Sequence, residues 1–198
     1  MKDCIEIKSQ EDIIKHLNKN QIKYFIDKAK KAMDTYDLLI EMREKCSDPF
    51  LVEEVFGEHI FIIYRSIFGK NNLSNNKTVK IDYQMFLVRP PKVKFFKMRK
   101  SDYDDYKHFH ELVISLVDKV YAHTDLNSEY KKISEVSLER RKITSSIEHG
   151  VDFNGITIAV NIISTVYYSL SYIKEKNNYC LCHAEYVDGS WVSLFFEK

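Results

Sequence analysis

Apolar residues recur at helical spacing along most of the chain, and the period changes only near the C-terminal end. Residues 9–18 carry a short helical pattern. Over residues 21–46, Ile22, Phe25, Ile26, Ala29, Met33, Tyr36, Leu39 and Ile40 form one broad stripe, which predicts a long amphipathic helix. Asp48 then reads as an N-cap, Pro49 as the first helical residue, and Glu53 and Glu54 lie near the positive end. The helix predicted for residues 49–69 is apolar almost all round in "FIIYRSIF", the pattern of a central, covered helix, and Gly69 marks its stop. Arg65 is conspicuous there. It is expected to pair with an acid such as Glu54 or Glu58, or to face a cleft.

Residues 70–100 are the least regular. Thr78–Tyr83 and Val93–Phe96 read as short strands, with Pro90-Pro91 breaking what lies between, and an insertion of this length is often functional. "SDYD" at 101–104 reads as a capping box for a helix running to about residue 122, with Phe109, Val113, Leu116, Val117 and Val120 as its stripe. A charged, broken helical region covers 129–148, and "HGVDFNG" reads as a loop. Residues 155–176 form a strongly apolar helix. The tail, "YCLCHAEYV" and "SWVSLFF" around Asp188-Gly189, predicts a β-hairpin over 179–196 that packs on the helices or pairs with the strands near 78–96. The expected fold is mostly α: one domain, a helical bundle of four to five main helices over 10–176 with an irregular insertion at 70–100, and a C-terminal β-hairpin.

Length and charge narrow the function classes. A chain of 198 residues with 44% hydrophobic content can bury a core of its own. Thirty basic residues against 29 acidic ones leave a net charge of +1, so nucleic-acid binding would need a local basic groove. No run of about 18 apolar residues occurs, and "MKDCIEIKSQEDIIKH" is polar where a signal peptide is apolar. The expectation is a cytoplasmic protein without a membrane partner, its four cysteines reduced. Cys180-x-Cys182-His183 lacks a second ligand pair and alternates like a strand, so neither metal nor other cofactor is expected. His108 and His110, two apart, do not share a helix face, and they are expected to be solvated or half-buried. Tyr167, Tyr168 and Tyr172 suggest a core or dimer seam, and "SLERRK" at 137–142 an exposed basic face. No Gly-rich phosphate loop, nucleophile elbow or HExxH motif is present.

One stretch carries candidate chemistry: "VDKVYAHTD", residues 117–125. On a helical projection Leu116 and Val120 lie within about 60° of His123, Lys119 within about 40°, and Asp118 about 140° away. His123 therefore borders the buried stripe. An imidazole there suits proton transfer near neutral pH; the plainer role is a helix-end histidine set against the negative end of the dipole. Asp125 would orient it or cap the next turn, and Lys119 is either a nearby cation or a side chain snorkelling at the stripe edge.

The segment Asp118–Asp125, "DKVYAHTD", resembles the helix-end motif of HEPN domains, the small helical bundles of many toxin–antitoxin and abortive-infection systems. Their hallmark is an arginine followed a short helical stretch later by a histidine, in a context like "RDKxxAHxD". The order of helices over residues 10–176 is similar as well. The resemblance implies a homodimer with a shared cleft that binds RNA or a protein partner. It also implies a metal-independent ribonuclease in which His123 handles the proton of the 2′-hydroxyl or leaving oxygen and an arginine stabilises phosphate charge. This chain departs from the pattern at the arginine: Val117 stands six residues before His123, Asp118 five before and Lys119 four before. The candidate catalytic set is thus His123, Lys119, Arg65 and Asp125, with Lys119 or Arg65 as the cation, although lysine lacks the arginine fork. The alternative is a non-catalytic HEPN-like interaction or dimerisation domain that has lost the active-site arginine.

Overall fold

Side-chain caps fix the first three helix starts. In the computed structural model, which describes residues 4–72, 78–86, 100–118, 153–176, 180–187 and 189–197, helix α1 spans Gln10–His16, α2 Lys19–Lys45 and α3 Pro49–Phe68. The Ser9 hydroxyl accepts from the Asp12 N–H at 3.1 Å while the Asp12 carboxylate accepts from the Ser9 N–H at 3.1 Å. Asn18 and Gln21 repeat that exchange ahead of α2, and Asp48 accepts from the Leu51 N–H at 3.1 Å. Each cap satisfies amide donors that the first turn of a helix leaves unpaired. Two further helices, α4 over Lys100–Leu116 and α5 over Phe153–Lys176, complete a mostly helical fold.

A small mixed sheet closes one end. Its strands are β1 (Cys4–Ile7), β2 (Lys70–Asn72) and β3 (Thr78–Ile81), in the order β1-β3-β2, with β1 parallel and β2 antiparallel to β3. Alternation along each strand separates two faces. Ile7, Val79 and Ile81 are fully buried in the core, whereas Glu6, Lys80 and Lys70 stand in register across the other face. Asp82 ends β3: its N–H donates to the Ile7 carbonyl at 2.9 Å, and its carboxylate accepts from the Gln84 N–H, starting a 3-10 turn over Tyr83–Phe86. Two last strands, β4 (Cys180–Val187) and β5 (Ser190–Glu197), pair antiparallel around Gly189, which adopts φ +83°. They form a separate sheet packed on α5 and do not join β1-β3-β2.

The core lies where α2, α3 and α5 meet, around Phe25, Tyr36, Ile60, Tyr64, Val160 and Ile163. Gly57 sets the closeness of α3 to α5: a Cβ there would stand 2.8 Å from the Ile156 Cδ1. Gly57→Val is expected to destabilise by about 1–3 kcal/mol through overpacking, read as a lower urea midpoint at unchanged slope. A midpoint at or above wild type would show that Ile156 moves aside freely. Among the described residues, no helix is long and apolar enough to cross a membrane.

Several expectations need correction. "SDYD" does not precede α4, because the helix begins at Lys100 and takes in residues 101–104. Residues 153–155 of "HGVDFNG" open α5 instead of forming a loop. The irregular stretch holds β2, β3 and the 3-10 turn, and the strand predicted to Tyr83 stops at Ile81 because Asp82 turns the chain. Val93–Phe96 and the 129–148 region lie outside the described residues.

Candidate functional site

Arg65 belongs to the last turn of α3, where an otherwise apolar helix reaches the small sheet. Its Nε donates to the Asp118 carboxylate at 2.7 Å, not to Glu54 or Glu58. Asp118 follows α4 in a wider, π-type turn at 117–118. Such turns re-aim side chains that a regular helix would point elsewhere. Gly69 leaves room for the arginine: a Cβ at Gly69 would collide with the Arg65 Nη1 and stand 2.8 Å from its Cζ. The guanidinium therefore folds back over the end of α3 and ties it to the end of α4. Both side chains stay partly exposed, so the pair contributes on the order of 0–1 kcal/mol to stability.

His110 faces the same region from α4 and is buried, not solvated or half-buried. The Tyr64 hydroxyl, itself fully buried, lies 3.1 Å from the His110 Nδ1. Burial raises the Tyr64 phenol well above its ordinary range, so the hydroxyl keeps its proton. Burial, and then the charge of Lys80, lowers His110 to about 4. The imidazole is thus neutral at pH 7, with one ring nitrogen a donor and the other an acceptor. Tyr83 stacks on the ring, with centroids 4.0 Å apart and planes 13° apart.

Two adjoining cavities share His110, Lys80 and Ile114. The smaller, about 290 Å³, lies between Arg65, Lys70, Lys80, His110 and Asp118. The larger, about 430 Å³, runs past Tyr83 to Glu6, Asp82, Lys107 and Glu111. The groove offers cations, a neutral imidazole and carboxylate acceptors, a set suited to holding a polar, anionic ligand.

Of the residues chosen from sequence, Arg65 borders this groove. His123, Lys119 and Asp125 lie outside the described residues. His108 lies on α4, and Tyr167 and Tyr168 are half-buried on α5, in edge-to-face contact at 5.1 Å. The burial of His110 has a signal in the sequence: it stands seven residues before Val117, within about 20° on a helical projection. Lys70 and Lys80 had no such signal, since only strand pairing brings them together. No protein-family model, curated protein or solved structure matches this chain.

Proposed function

We propose that the chain is a HEPN-like protein of a bacterial or phage-conflict system, acting as a homodimer that binds RNA along the segment 117–125. Where it cleaves, His123 is the acid/base, Asp125 orients it, and Arg65 supplies the cation, with Lys119 second. The observation that supports this reading is the Arg65–Asp118 bond, because Asp118 is the first residue of the "DKVYAHTD" segment. An arginine from α3 thereby borders the segment whose own arginine position is Val117. With Nε engaged, no carboxylate among the described residues holds the two terminal nitrogens, which suit a phosphate.

The test is binding and cleavage of end-labelled RNA in EDTA at low salt. Arg65→Gln is expected to weaken RNA binding about tenfold, equivalent to about 1.4 kcal/mol. His123→Ala is expected to leave binding and stability near wild type and to abolish cleavage. Absence of RNA affinity in the wild-type protein at low salt would end the RNA reading. A second reading draws on the same bond: Asp118 already neutralises Arg65 at 2.7 Å, as in an interaction or dimerisation domain without catalysis. In that case His123→Ala lowers the melting temperature, and wild type and variant alike leave the RNA intact.

A further inference from the structure

The smaller cavity has a charge pattern that the fold does not explain. Lys70 and Lys80 are directly opposed across the antiparallel β2–β3 pair, an arrangement that destabilises a sheet. Both line the cavity that Arg65 enters from α3. Among the described residues no carboxylate lies within ion-pair distance of either lysine. Glu6, next to Lys80 in the sheet, is held by Lys8 at 2.6 Å, and Asp118 is held by Arg65. Among the described residues, three cations against one carboxylate leave a surplus of two positive charges around about 290 Å³. His110, at the same wall, brings a neutral ring and no charge. Among the described residues the adjoining cavity is nearly balanced in charge: Glu6 pairs with Lys8 and Glu111 with Lys107, which leaves Asp82 against Lys80. It favours a neutral group that donates hydrogen bonds, such as sugar hydroxyls or an amine.

We infer that this groove binds a phosphate monoester carrying a hydroxyl-bearing organic group, of the nucleoside 5′-phosphate class: the dianion sits among Arg65, Lys70 and Lys80, and the sugar lies toward Asp82 and Glu111. Two surplus positive charges match a monoester dianion, and the change in charge from one cavity to the next sets the ligand's direction. The same chemistry is offered by a free nucleotide and by the 5′-phosphorylated end of an RNA strand. The site does not depend on His123 or on cleavage.

The experiment is calorimetric titration of the full chain at low salt with 5′-AMP, adenosine, inorganic phosphate, and one oligoribonucleotide with and without its 5′-phosphate. Wild type is expected to bind 5′-AMP more tightly than phosphate and not to bind adenosine. Lys70→Gln and Lys80→Gln are each expected to weaken 5′-AMP about tenfold, while Lys45→Gln, exposed at the end of α2, leaves it unchanged. The melting temperature is expected to hold or rise in both groove variants, because like-charge repulsion is relieved; weak binding with an intact fold therefore reports on the site. If only the 5′-phosphorylated oligonucleotide loses affinity in these variants, the ligand is a strand end. The inference is overturned if the wild-type protein binds neither 5′-AMP nor the 5′-phosphate, or if both groove variants bind them as wild type does. Failure of the wild-type protein to bind the 5′-hydroxyl oligonucleotide while it still binds 5′-AMP would count against the RNA reading and leave this site standing.

Discussion

Lowering the pH from 7 to 4 is expected to remove about 3 kcal/mol of stability through His110 alone. In the folded protein its imidazole titrates near 4, because burial and then Lys80 disfavour its charge, whereas an exposed histidine titrates near 6.5. Between those values the unfolded chain takes up a proton that the native state refuses. Stability is therefore unaffected above pH 6.5, falls by about 1.4 kcal/mol per pH unit below it, and levels off near pH 4. Denaturant unfolding of wild type and His110→Gln across this range isolates the effect, since glutamine still offers the Tyr64 hydroxyl a hydrogen-bond partner but does not titrate. The two stability profiles are expected to converge toward acid pH. Parallel profiles would mean that the native protein protonates His110 without penalty.

Tyr36→Ala is expected to cost about 3–5 kcal/mol. The Tyr36 ring is 1% exposed, stacks on Phe153 with centroids 5.9 Å apart, and meets Trp191 at 6.0 Å. Its hydroxyl bonds to the Thr157 Oγ1 at 2.7 Å. One residue of α2 thus touches the start of α5 and the first turn of β5. Arg43 covers the far side of Phe153, its Cζ 3.9 Å from the ring centroid. The Trp191 Nε1 donates to Asp37 at 3.1 Å, and burial holds that carboxyl above its usual range. Truncation leaves a cavity and removes the apolar half of the Trp191 anchor, while the Asp37 bond remains. Amide exchange is expected to accelerate more in β5 than in β3. Equal acceleration in both sheets would show that the packing of β4–β5 does not run through Tyr36. Tyr36→Phe is expected to cost only about 1 kcal/mol, the hydroxyl's share.

The helices were legible because their signals are local. The Asp48-Pro49 start, the α2 stripe and the apolar α5 each lie within one stretch of chain, and the structure keeps them within a few residues. Of the small sheet, only the strand at Thr78–Ile81 was legible. Cys4–Ile7 is short and polar on one face, and it becomes a strand only because Thr78–Ile81 lies beside it. The groove follows the same logic. Arg65 stood out on sequence as a charge in an apolar helix, but its partner Asp118 lies 53 positions away. His110, expected to be solvated or half-buried, is buried because it falls on the same helical face as Val113 and Val117. The Lys70–Lys80 pair exists only in the tertiary fold, so no reading of either lysine alone could find it.

The parallel pairing of β1 with β3 has a consequence for assembly. Parallel strands need a long crossover, and here the whole of α1, α2 and α3 lies between Ile7 and Thr78. Closing that circuit brings no reward until its last member arrives, so the helices are free to nucleate first and the sheet to zip late. The lysine row would then be completed after the hydrophobic centre has condensed. An anion seated there would act as a latch on the final closure, slowing the opening of the sheet while leaving the collapse of the helices untouched.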